Sequence, residues 1–173
     1  MRHRETAADL LVSPHMQFIP ANDDDFFLRV AEALSGCQLV EQELKLYITE
    51  AFDLVRKCVD ERLPFKLSGD DYQESSLEKL IGVYRKLCDN EPLIARLNKF
   101  KNERNFLSHK AITHCMDPEQ GISLPDVVDI APRLSAIADE ARLLRLAIHE
   151  EANKFRGHLY FDKLDDENRG CGK

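Results

Sequence analysis

Between about residues 25 and 62, apolar side chains recur in steps of three or four: Phe26, Val30, Ala33, Cys37, Val40, Leu44, Tyr47, Ala51, Val55 and Cys58. Such steps return to one side of a 3.6-residue helix, so the pattern predicts one long amphipathic helix. Unbroken, it would span roughly 57 Å at 1.5 Å per residue. Ser35-Gly36 is the predicted place for a bend or break, and an overhanging helix of this length can also pack against a second chain. Asn22-Asp23-Asp24-Asp25 offers an N-cap and negative charge at its start, and Pro64 is its predicted end. Residues 1–22, broken by Pro14 and Pro20, predict a flexible or loosely docked N-terminal arm.

The same period returns three more times. A connector over 63–74 leads to Ser75-Ser76-Leu77-Glu78, where Ser75 and Glu78 have the spacing of a capping box. The helix beyond it carries Leu77, Leu80, Ile81, Tyr84, Leu87 and Cys88. Asn90 is a predicted cap for the next helix, over 91–113, with Pro92 tolerated in its first turn. A second connector over 115–128 holds Pro118, Gly121 and Pro125. The last helix is predicted over about 129–156, with Pro132 in its first turn, a stripe of Leu134, Ile137, Ala141, Leu144, Ile148, Ala152 and Phe155, and Gly157 as its C′ residue. Residues 158–173 read as a polar tail with a disordered end. The expected fold is an all-α bundle of four principal helices, two of them long, over residues 23–157.

Composition agrees with that picture. The 173-residue chain is 43% hydrophobic and 32% charged, with seven glycines and seven prolines, few for an all-β protein. There is no apolar run of about 18 residues, so no membrane-spanning helix is expected, and Met1-Arg2-His3-Arg4-Glu5 leads into no long apolar core, so no secretory signal is expected. Cys37, Cys58, Cys88, Cys115 and Cys171 are odd in number, widely spaced and free of any CxxC. The expectation is therefore small buried thiols in a reducing cytoplasm. The net charge of −7 argues against a broad nucleic-acid coat, yet Arg96, Lys99, Lys101, Arg104 and Lys110 outnumber Glu103 to give a local +4, leaving −11 for the rest.

Within that basic segment the apolar stripe runs Leu93, Leu97, Phe100, Arg104, Leu107, Ala111. An arginine stands where the pattern asks for an apolar side chain. A guanidinium is costly to bury without partners, so the position marks either a functional site or an ion pair to an acid on another helix. Arg104-Asn105-Phe106-Leu107-Ser108-His109 puts a guanidinium, a carboxamide and an imidazole within six residues. Asn105 and His109, four apart, share a helix face. Arg104 and His109, five apart, diverge by about 140°. One regular helix does not aim both at one phosphate, so either the helix is distorted or a second chain supplies the missing partner across a two-fold interface. The second solution is preferred. A zinc site from His109, His114 and Cys115 lacks the usual tight ligand spacings. No Gly-rich phosphate loop, HExxH or GxSxG occurs, and no cofactor is expected.

The six residues resemble the R-N-x-x-x-H signature of the HEPN superfamily, all-α domains found in many prokaryotic toxin and defence ribonucleases. The order of helices over about residues 25–156 is similar to the bundle of that family. The resemblance implies a homodimeric, metal-independent endoribonuclease whose two motifs meet at the dimer interface. It implies His109 as general acid or base, Arg104 as the group that stabilises charge on the phosphate, and Asn105 as a partner of His109 or of the phosphate. The products would be a 2′,3′-cyclic phosphate and a 5′-hydroxyl. Arg96, Lys99, Lys101 and Lys110 are candidate contacts to the RNA backbone. No nucleotidyltransferase-type domain lies in the chain, so a neutralising antitoxin of that type would be a separate protein. The alternative is a dimeric module that keeps the fold and binds a nucleotide, RNA or protein without cleaving anything.

Overall fold

The computed structural model describes residues 23–169, apart from 61, 118 and 120. It is an all-α bundle: α1 (Asp23–Cys58), α2 (Leu77–Leu87), α3 (Glu91–His109), the short α4 (Ala111–His114) and α5 (Leu124–Arg169), with a 3₁₀ turn at Gly69–Tyr72. Strands β1 (Met116–Asp117) and β2 (Gly121–Ile122) form a minimal antiparallel hairpin between α4 and α5. The predicted arm 1–22, the cap at Asn22, and Cys171 lie outside the described residues.

The two long helices run parallel and form the frame. Gly36 packs on Ala141, Glu43 meets His149 and Glu50 meets Arg156, so the contacts advance together along both. Helix α3 runs antiparallel to them, linked by Arg104–Glu41, Arg96–Glu140 and Glu103–Arg133. The predicted stripe of α1 is buried from Phe26 to Ala51. Val55 is half-buried and Cys58 exposed, because α1 outruns the core there. Leu134, Ile137, Ala141, Leu144, Ile148 and Ala152 of α5 face them from the other side. Tyr47 of α1 lies edge-on to Tyr84 of α2, with ring centroids 4.7 Å apart.

Several predicted boundaries move, each for a local reason. Helix α1 has no break at Ser35-Gly36. A Cβ on Gly36 would stand 3.0 Å from Cβ of Ala141, so this glycine lets two helices approach closely instead of bending one. Gly69 serves a similar end: a Cβ there would come within 2.0 Å of Thr49 Oγ1. Helix α1 stops at Cys58, before Pro64, where Asp60 folds the chain back. Its carboxylate accepts from the Arg62 amide at 2.9 Å, and its carbonyl from the Leu63 amide at 2.8 Å.

Ser76, not Ser75, caps α2 by accepting from the Lys79 amide, and the capping box sits upstream at Ser68 and Asp71. The predicted 91–113 helix is two helices, broken at Lys110; α4 then presents the buried Ala111 to the core. Helix α5 starts at Leu124, five residues early, because Val127 and Ile130 already face the core. Pro132 is therefore inside it, on an exposed position. It also passes through the exposed Gly157. Beyond that glycine Leu159 is buried and its carbonyl accepts from Lys57 Nζ, which holds the continuation down, so 158–169 is helix and not a loose tail. No helix among the described residues is long and apolar enough to cross a membrane.

Candidate functional site

Helix α3 is fixed at both ends. The Asn90 side chain accepts from the Leu93 amide at 3.1 Å, and the Lys110 amide donates to the Phe106 carbonyl at 2.8 Å. Leu93, Leu97, Phe100 and Leu107 bury its inner side. The Arg104–His109 motif occupies its last turn and a half.

Arg104 takes the stripe position expected of it, but its side chain reaches outward to an acid. Its Nε donates to Glu41 Oε1 at 3.1 Å and its Nη1 to Ser108 Oγ at 3.3 Å, while Ser108 Oγ donates to the Arg104 carbonyl at 2.9 Å. The Arg104 side chain stays 34% exposed and that of Glu41 16%, so the pair lies at the rim of the core. Arg104 Nη2 has no hydrogen bond among the described residues. Beside this pair the Cys37 thiol is pushed up to about 12, first by burial and then by Glu41, with Arg104 opposing. Cys37 is thus a packing residue at neutral pH.

Asn105 and His109 are both exposed, share the outer face of α3, and make no side-chain hydrogen bond among the described residues. The helix is regular up to His109, so the divergence of Arg104 from His109 holds in the fold. A single chain brings Asn105 and His109 together and leaves Arg104 round the side.

The basic neighbours divide. Arg96 forms a fork with Glu140 (2.9 and 3.1 Å), and Lys101 pairs with Glu78 at 2.9 Å. Lys99 and Lys110 have no ion pair among the described residues. The local +4 of the segment is therefore largely met by acids on other helices, and no continuous basic face results. Surface pairs of this kind contribute about 0–1 kcal/mol each, so they are weak latches, not anchors. His109, His114 and Cys115 do not make a metal site: no cluster of three or more potential ligands exists among the described residues. The Cys115 thiol is buried and raised to about 11 by burial, with Asp126 adding to the effect.

Sequence patterning did not name the partners of α3. Glu41, Glu140 and Arg133 lie on other helices, and their place opposite α3 depends on helix register. Between α3 and α5, Glu140 and Arg133 help to enclose a groove of about 410 Å³ with an apolar floor of Phe100, Ala136 and Ile137. Two forks close its ends: Arg96 with Glu140, and Arg133 with Glu103 at 2.7 and 3.2 Å. The Arg133 guanidinium carbon sits 3.6 Å above the centre of the Phe106 ring, inside the motif. Comparison with protein-family models, curated protein sequences and solved structures finds no match to this chain.

Proposed function

We propose that the chain is a metal-independent endoribonuclease of HEPN type, active as a homodimer with a site shared between two copies of α3. The observation that carries this reading is the pairing of exposed, unengaged Asn105 and His109 on one face at the end of α3, with the guanidinium of Arg104 held round the side of the same helix at the rim of the core, open to a second chain. These are the three residues of the R-N-x-x-x-H motif.

In this reading His109 takes the proton from a ribose 2′-hydroxyl, whose oxygen attacks the adjacent phosphorus. The bond from phosphorus to the 5′-oxygen breaks, and the imidazolium formed by that first transfer supplies the proton to the leaving oxygen. The products are a 2′,3′-cyclic phosphate and a 5′-hydroxyl. An imidazole suits both steps near neutral pH. Arg104 of the opposing protomer places its free Nη2 against the non-bridging oxygens, where charge accumulates. Asn105, one helical turn from His109, orients the imidazole or the phosphate. Lys99 and Lys110, free of ion pairs among the described residues, are left to contact the RNA backbone, whereas Arg96 and Lys101 must first leave Glu140 and Glu78.

The test is cleavage of structured and single-stranded RNA by purified wild-type protein and His109→Ala. A loss of about 10²–10⁴-fold in the variant is expected if acid–base chemistry is at stake. Equal cleavage by both, or no cleavage by a folded dimer, removes the proposal.

A second reading draws on the Arg104–Glu41–Ser108 contacts. In it the arginine is a structural latch, and the fold is a non-catalytic dimeric module for a nucleotide, RNA or protein. Loss of a nucleic-acid phenotype in Arg104→Ala, with assembly and stability intact, would exclude it.

A further inference from the structure

We propose that the groove between α3 and α5 is a nucleotide-binding site, with a nucleobase stacked on the guanidinium of Arg133 and the phosphate held by Lys99. The argument begins with the plane of Arg133. Its Nε and Nη2 are both fixed by the Glu103 carboxylate, so the guanidinium cannot rotate freely. One of its faces rests on the Phe106 ring. Arg133 lines the groove and Phe106 does not, so the ring backs one face of the guanidinium from outside the groove and leaves the other face uncovered by it. The Arg133 side chain keeps 46% of its surface exposed. A rigid, ring-backed cationic plane is a platform for the π-face of a base.

The rest of the groove matches the same ligand. Its 410 Å³ falls within the roughly 300–1,000 Å³ typical of small-ligand sites. The floor is apolar, as the flat underside of a base requires. Glu103 and Glu140 keep lone pairs beyond those their arginines use and can accept from base N–H groups. Lys99 lines the groove without an ion pair among the described residues, which leaves its ammonium for an anion. Three cations and two acids around the groove leave one positive charge, which suits a phosphate.

A free mononucleotide and one nucleotide of an RNA chain offer the same chemistry. The RNA source rests on the ribonuclease reading; the mononucleotide source does not. The experiment titrates the full chain with AMP, GMP, adenosine and a short single-stranded RNA, read by isothermal calorimetry and by NMR shifts. Mononucleotide is expected to bind, and adenosine more weakly. Arg133→Leu should weaken binding by about tenfold or more, the scale of one base stack. Arg133→Lys should weaken it similarly, because lysine keeps the charge and loses the plane. Lys99→Ala should bring AMP down toward adenosine and leave adenosine unchanged. RNA binding that is lost in Arg133→Lys, with no mononucleotide binding, supports the groove with RNA as the source. No binding of any of the four probes, or wild-type binding by Arg133→Lys, overturns the proposal. Mononucleotide binding by a chain that cleaves no RNA supports the groove while removing the ribonuclease reading, and RNA cleavage without probe binding does the reverse.

Discussion

The two ends of the bundle treat their polar side chains in opposite ways. Where α1 finishes, they are bonded to one another around a buried carboxylate. Glu50 is only 6% exposed and accepts from Arg156 Nε at both oxygens (3.2 and 2.9 Å) and from the Tyr160 hydroxyl at 2.9 Å. Arg156 also reaches Asn153 and the ring of His149, which in turn meets Glu43 at 3.0 Å. Where α3 finishes, Asn105 and His109 face solvent without a partner among the described residues. The first arrangement is what burial of charge demands. The second has no such cause, and groups left open at little structural benefit are where chemistry is to be sought. Arg104 stands between the two cases, tied through Nε to Glu41 and open at Nη2.

Substitutions can test this contrast in order of effect. Arg156→Ala leaves the Glu50 carboxylate buried without its counter-charge, and a loss of about 3–5 kcal/mol is expected in denaturant unfolding. A loss below about 1 kcal/mol would mean that the network is not what holds that end. Glu41→Ala removes the partner of a half-exposed guanidinium, with an expected cost of about 1 kcal/mol.

The Glu151 carboxyl gives a pH-dependent test at the buried end. Burial acts to raise its pKa, but hydrogen bonds from Lys154, Asn90 and Cys88 outweigh it, so it titrates below the usual glutamate range. A depressed carboxyl stabilises the fold above its unfolded pKa, and that stabilisation is lost as the pH falls through the folded value. Glu151→Gln should therefore destabilise the protein at pH 7 and approach wild-type stability in acid, as seen in denaturant midpoints at the two pH values. A difference that does not shrink in acid would mean that packing, not charge, accounts for Glu151. At the open end His109→Ala should change stability by less than about 0.5 kcal/mol, because no side chain among the described residues bonds to that ring. A large destabilisation would show that His109 is structural.

Periodicity made the helices legible, together with most of the side chains that fill the core. Phe26 to Ala51 and Leu134 to Ala152 are buried as their three- and four-residue steps require. It also flagged Arg104 as a polar residue in an apolar seam. What it did not show was the answer to that residue. Glu41 is one of many acids, and only the antiparallel register of α3 against α1 sets it opposite Arg104. Boundaries slipped where a neighbour overruled local signals. Gly36 reads as a bend and is a contact with Ala141; Gly157 reads as a stop and is passed because Leu159 is anchored. The groove beside the motif was not legible at all, since Arg133 and Phe106 are joined only by the packing of α5 on α3.

The central claim is that the motif is half of a site completed by a second chain. Mixed dimers test it directly. Arg104→Ala and His109→Ala chains are each expected to be inactive on RNA. After unfolding, mixing and refolding together, half of the dimers should be mixed, and each should hold one intact site that takes its arginine from one protomer and its histidine from the other. Cleavage should then return to about a quarter of the wild-type rate. Mixtures as inactive as the separate variants, with mixed dimers verified by mass, would contradict the account.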